Sequence, residues 1–285
     1  MPKLRILALH SFRMSGSILR KQLMHFSNLG QTMLDDDLVE LEYLDGVHQC
    51  TAEDEAKMEA GLKVIFAGER FYEWLNADPD PGGDANLRWY KYIDQSVAKI
   101  VAHVQQNGPY DGFLGFSQGG TVAHLLSLLA ANGKLACPAP RFLILLSCRQ
   151  TRPAAHKPLV EAARAAPLAV PVFVMWNGWD DHVFPEETTE LLTTLKAPTT
   201  MPMEHVRGHK IPPVTPDEGR RLRAFLEAIP ALRHDLPTSL RLGVMRCLRS
   251  CCLVDEGEEQ PMNGNNLGAR RGAAAGAGTS NVPLV

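Results

Sequence analysis

An α/β fold, with a mostly parallel central sheet and helices on both faces, is predicted by three features of the sequence. Short apolar runs alternate with longer amphipathic stretches, which is the rhythm of strand, helix and strand. Several runs are hydrophobic at nearly every position, as strands covered on both faces must be. The chain has 285 residues, 45% of them hydrophobic, and no linker or composition break divides it before about residue 230, so residues 1–230 are expected to build one large core as a single domain.

The predicted strands are residues 4–9, 38–44, 111–115, 141–147, 172–176 and 200–206, each short and mostly rich in aliphatic or β-branched side chains. The predicted helices lie between and after them, at 16–28, 86–106, 118–132, 186–195 and 215–228. The interval 49–88 is too long for a plain connection and is expected to carry helices of its own. Within it, Phe66, Phe71, Tyr72, Trp74 and Leu75 either line a pocket or close the core, while Pro79, Pro81, Gly82 and Gly83 mark a turn.

After residue 230 the pattern changes. A C-terminal helix is expected within 231–254, where residues 239–254 carry Cys247, Cys251 and Cys252 beside Arg241, Arg246 and Arg249. Such a helix is either an ordinary surface helix or an acceptor for reversible acylation. Residues 255–285 are dominated by Gly, Ala, Asn and Glu without apolar periodicity, and are expected to form a disordered tail.

Composition excludes some partners. A net charge of -3 lacks the basic footprint of nucleic-acid binding. The longest apolar runs fall well short of the ~20 residues that span a bilayer, so stable membrane insertion is not expected. The six cysteines follow neither a secreted disulfide pattern nor zinc-knuckle spacing, which favours a reducing cytoplasm, with Cys137 and Cys148 as packing residues.

Gly115-Phe116-Ser117-Gln118-Gly119 is a Gly-x-Ser-x-Gly pentapeptide between a predicted strand and a predicted helix closed by Gly133. In that setting a tight turn lifts the serine hydroxyl above the sheet edge, and glycines are needed where a Cβ would meet the neighbouring backbone. This is the nucleophile elbow of the α/β-hydrolase fold. The backbone N–H of Gln118, at a helix N-terminus, is suited to a developing oxyanion, and the N–H of Phe12, after the first strand, is the expected second donor. His10 is read as positioning that loop.

A serine needs a base, and the base needs an acid to set its tautomer. In chain order the acid comes next, and the loop after the strand 172–176 holds two: Asp181 is preferred, with Asp180 as the alternative. Of the later histidines His182, His205, His209 and His234, His209 is the expected base, because a loop after the last strand presents it. Ser117, Asp181 and His209 are therefore the candidate catalytic set, with no metal and no cofactor.

The stretches LRILALHSFRMSGSILRKQL, GPYDGFLGFSQGG, VFVMWNGWDDHVFP and VRGHKIP resemble the FSH family of serine hydrolases, over nearly everything from Lys3 to about Ala228. The resemblance implies Asp181 as the acid, counted from Gly178, and His209 as the base, counted from Gly208. It also implies a small-molecule acyl or alkyl ester as substrate, with hydrolysis through an acyl-enzyme. Acyl-protein or acyl-CoA thioesters are the neighbouring substrate class, and a catalytically silent binding scaffold is the rival of another kind. Three positions depart from the family pattern: Ser11 stands where Gly is usual, Asp45-Gly46-Val47-His48 replaces a Pro-His pair, and Phe71-Tyr72-Glu73-Trp74 replaces paired tryptophans.

Overall fold

The strands predicted from alternation form in order. In the computed structural model, which describes residues 3–34, 38–84 and 87–231, β1 (Leu4–Leu9) leads to α1 (Gly16–Lys21), a π-helical turn (Gln22–Phe26), α2 (Leu29–Leu34) and β2 (Val39–Leu44). The long interval then supplies β3 (His48–Gln49), α3 (Ala52–Ala56), α4 (Ala60–Ile65), β4 (Tyr72–Glu73), β5 (Asn76–Pro79) and β6 (Arg88–Lys91). The chain continues through α5 (Ile93–Asn107), β7 (Gly112–Phe116), α6 (Gln118–Ala131), β8 (Phe142–Leu146) and α7 (Lys157–Ala165). It closes with β9 (Val172–Asn177), α8 (Pro185–Leu192), β10 (Thr200–His205) and α9 (Pro216–Ala231). The expected C-terminal helix at 239–254, its cysteines, His234 and the 255–285 tail lie outside the described residues.

Six strands make the central sheet in the order β10-β9-β8-β7-β1-β2, and every pairing in it is parallel. Period-two alternation divides the core between the two faces. Leu7, Leu9, Leu143, Leu145, Val172 and Val174 pack on the side of α5, α6, α7 and α8. Ile6, Ala8, Phe142, Ile144, Phe173 and Met175 pack on the side of α1, α2 and α9. On that second face Phe225 of α9 meets Phe142 and Phe173, with ring centroids 6.0 and 5.9 Å away.

Three expectations need correction. The helix expected over 16–28 stops being regular at Lys21 and ends before Ser27, whose Oγ donates to Pro212 O and accepts from Leu29 N–H, starting α2. The helix expected over 86–106 begins only at Ile93, because Arg88–Lys91 pair with β5 and Tyr92 takes a left-handed backbone (φ 70°) between strand and helix. Helix α7 was not anticipated; its apolar stripe is only Leu159, Val160 and Ala163, too brief to stand out. Of the two readings open for the long interval, burial of Phe66, Phe71, Trp74 and Leu75 favours closing the core, while Tyr72 is half-buried.

Candidate active site

The parallel sheet presents all its strand C-termini at one edge, where the crevice of such folds lies. There β7 turns sharply into α6, and Ser117 at the turn has φ 53° and ψ -116°. A non-glycine residue holds such a backbone only when its surroundings impose it. Here the glycines impose it by close approach. A Cβ on Gly115 would lie 2.4 Å from Gly119 C, and one on Gly119 would lie 2.1 Å from Leu9 O. The elbow is therefore pressed directly on the end of β1, which brings Gln118 at the start of α6 beside the loop that carries Phe12.

Ser117 Oγ lies 2.9 Å from His209 Nε2, and His209 Nδ1 lies 2.8 Å from Asp180 Oδ2 and 3.1 Å from Oδ1. The structure thus brings Ser117 and His209 together but puts Asp180, not the expected Asp181, behind the histidine. Asn177 explains the difference: its Oδ1 accepts from Trp179 N–H at 2.7 Å, and its carbonyl accepts from Asp180 N–H at 3.3 Å. This turn at the end of β9 carries Asp180 inward, followed three residues later by buried Val183, and leaves Asp181 outside with its side chain 80% exposed.

Asp180 is buried, which pushes its carboxyl up, but hydrogen bonds from His209 and from the N–H groups of Val183 and His182 outweigh burial and hold it below the usual range. An ionised acid is thereby kept against the imidazole, fixing the proton on Nδ1 and leaving Nε2 to accept from the serine. Asp180, Asp181 and His182 also bring three potential metal-ligating atoms within 4.8 Å of one another. Asp180 already accepts from His209 and two backbone N–H groups, so its lone pairs fit the histidine better than an ion.

Several neighbours were not anticipated. The His209 ring stacks against Phe116 and His182, with centroids 5.2 and 4.9 Å away. Arg149, after β8, donates to His182 O and pairs with Glu187 at 2.7 Å, so it ties the end of β8 to the loop that holds Asp180. The Gln118 side chain reaches into the long interval: Oε1 accepts from the N–H groups of Trp74 and Leu75, and Nε2 donates to Leu75 O.

His10 does position the loop after β1. Its Nε2 accepts from Gly46 N–H at 2.8 Å, so Nδ1 carries the proton and donates to Ser11 O at 2.7 Å, while His10 O accepts from Trp74 Nε1. Burial depresses its pKa to about 4, so the ring is neutral. Ser11 has no left-handed backbone; the residue that does is Arg13, with φ 51°. Of the remaining candidates, His205 is buried in β10 with its pKa lowered by burial, and Cys148 is a buried thiol raised to about 12. Around the site Trp179, Phe184 and Val206 are exposed apolar side chains on the loops that carry Asp180 and His209.

Residues 1–218 match the profile of the serine hydrolase family FSH1. The chain belongs to that family. Among its relatives are an esterase of Caenorhabditis elegans, 31% identical over 147 residues that cover 51% of this chain and 60% of the relative, and the human esterase OVCA2. The latter is 30% identical over 135 residues, covering 47% of this chain and 57% of OVCA2. The matched segment therefore spans somewhat more than half the length of either relative. Among solved structures, acyl-protein thioesterase 2 of Zea mays has a TM-score of 0.53 at 21% identity, covering 80% of this chain and 94% of the thioesterase, a likeness of fold. With this family membership the fold is that of the α/β-hydrolases. Among the described residues no helix is long and apolar enough to cross a membrane.

Proposed function

We propose that this member of the FSH1 family hydrolyses carboxylic esters of small acyl or alkyl compounds through an acyl-enzyme, with Ser117 as nucleophile, His209 as base and Asp180 as the orienting acid. The observation that carries the reading is the hydrogen-bonded chain from Ser117 Oγ through His209 to Asp180, on a strained turn at the sheet edge. His209 takes the Ser117 proton as Oγ attacks the ester carbonyl, and returns it to the departing alcohol. It then activates water, which releases the acid and restores the serine. The N–H groups of Phe12 and Gln118 are the proposed oxyanion donors; losing one such donor typically costs about 3 kcal/mol of transition-state stabilisation. Trp179, Phe184 and Val206 give the approach an apolar character suited to acyl or alkyl chains.

Labelling by a fluorophosphonate probe tests this. The expected result is labelling of the wild type that vanishes in Ser117→Ala and falls sharply in His209→Ala, with turnover of p-nitrophenyl acyl esters. A folded wild type that neither labels nor turns over would leave the silent scaffold as the better reading. Paired oxygen esters and thioesters of the same acyl chain decide the preference between those substrates.

A further inference from the structure

The loop from His10 to Met14 joins β1 to α1 and carries Phe12, whose N–H the proposed function uses. One residue later, Arg13 adopts φ 51°, a conformation unfavourable for a residue with a Cβ. The Arg13 side chain is where that conformation is held. Its Nε donates to Glu73 Oε1 at 2.8 Å, its Nη1 donates to Asp54 O at 2.9 Å, and its Nη2 lies 3.7 Å from Asp54 Oδ1. Its guanidinium also packs over the Phe12 ring, with Cζ 4.7 Å from the centroid. Glu73 is wholly buried, and the Arg13 side chain is 11% exposed.

Both carboxylates come from the long interval between β2 and α5, and the same segment grips the loop at two further points. Tyr72 N–H donates to Met14 O at 2.7 Å, and Trp74 Nε1 donates to His10 O at 3.0 Å. Glu73 lies between these two donors in sequence and Arg13 between the two acceptors. A buried carboxylate without a cation is very costly, so the ion pair allows little other geometry at that point.

Resting on the ester-hydrolase reading, we infer that Arg13 and Glu73 are positioning residues whose ion pair sets the direction of the Phe12 N–H toward the reacting carbonyl oxygen. Neither residue touches substrate. Their effect is exerted through the backbone on a group that acts in the transition state, so it belongs in kcat and not in KM.

The test compares wild type, Glu73→Gln and Arg13→Lys in three measurements. With a p-nitrophenyl ester, Glu73→Gln is expected to lose about tenfold or more in kcat with KM nearly unchanged. Inhibition by a trifluoromethyl ketone, which forms a tetrahedral adduct with an oxyanion, weakens by the same factor. Arg13→Lys keeps the charge but loses the fork, and falls between the two. Hydrogen exchange at the Tyr72 amide, which donates to Met14 O at the end of the loop, quickens in both variants while the melting temperature stays well above that of the assay. Wild-type kcat, inhibitor affinity and Tyr72 exchange in a folded variant would overturn the inference while leaving the ester-hydrolase reading intact. If the wild type neither labels nor turns over, that reading fails, and Tyr72 exchange still decides whether the ion pair sets the loop. Should Glu73→Gln not fold, Arg13→Lys carries the same comparison.

Discussion

His182 stacks on His209 with ring centroids 4.9 Å apart and planes 20° from parallel, while its own Nδ1 meets Asp181 Oδ1 at 3.0 Å. Two neighbouring aspartates are thus shared between two neighbouring histidines: Asp180 inside on His209, Asp181 outside on His182. The two acids have opposite expected sensitivities. Asp180→Asn lowers kcat on an activated ester by about 10⁴-fold, as loss of the acid does in serine triads generally, because the wrong tautomer of the base is stabilised. Asp181→Asn changes it only by about twofold, since an exposed pair contributes little. Steady-state kinetics of both variants check this, and equal losses would contradict the geometry.

Stability should fall in acid for a reason separate from the active site. His10 and His124 are fully buried, and burial depresses each to about 4 from the ordinary 6.5. Between those values the unfolded chain takes up protons that the folded chain refuses. The stability these residues contribute is therefore complete above about pH 6.5 and is lost as pH falls toward 4, on the order of 3 kcal/mol for each. His124 Nε2 meets Thr194 Oγ1 at 2.9 Å, and its Nδ1 is buried without a hydrogen-bond partner. His124→Leu removes one titration and one orphaned acceptor. Melting temperatures from pH 7 to pH 4 are expected to decline less steeply in that variant, and an unchanged slope would refute the assignment.

Two glycines make opposite predictions. A Cβ on Gly119 would meet backbone: Leu9 O at 2.1 Å, Leu9 C at 2.5 Å and His10 O at 2.7 Å. Gly119→Ala must push α6 away from β1, and is expected to cost about 2 kcal/mol or more together with most of the activity. Gly61, in α4, has no such neighbour within 4 Å. Gly61→Ala is expected to stabilise by about 0.4–1 kcal/mol, by restricting the unfolded chain, with turnover unaltered. Denaturant titration of the two variants checks both signs.

The sheet was legible in the sequence because its strands are buried on both faces, so runs such as FLILL and VFVMW admit few other readings. Ser117 and His209 could be singled out because Ser117 sits in a Gly-x-Ser-x-Gly pentapeptide between a strand and a helix and His209 on the loop after the last strand. Asp180 was harder to recognise, since the choice between adjacent aspartates depends on a turn that Asn177 closes through its side chain. The roles of Gln118, Arg149 and Glu73 were hidden for a different reason. Their partners lie 33 to 60 residues away in sequence, as with Arg149 and His182 or Arg13 and Glu73, and local patterning carries no trace of such pairs. Helix α7 shows the weakness of short amphipathic stripes, and β6 shows that two aromatics at 89 and 90 can favour a hairpin within an apparent helix.

The Gln118 side chain holds the long interval separately from the oxyanion donation proposed for its backbone N–H, and that hold can be measured. Its side chain accepts from Trp74 N–H at 2.9 Å and Leu75 N–H at 3.2 Å and donates to Leu75 O at 2.9 Å, satisfying three backbone groups of the long interval at once. Truncation in Gln118→Ala leaves those groups unpaired, at about 1–3 kcal/mol for each that water cannot reach. Gln118→Glu keeps the acceptor for the two N–H groups but sets a second carboxylate oxygen against Leu75 O, where a donor is required. Hydrogen exchange at the Trp74 and Leu75 amides is therefore expected to quicken strongly in Gln118→Ala, whereas Gln118→Glu should lower the melting temperature with a smaller change in exchange. Because Ser96 Oγ donates to Trp74 O, the loosening should extend to α5 and not stop at the elbow. Exchange at Trp74 and Leu75 equal to wild type in both variants would show that the interval is held to the elbow by packing alone.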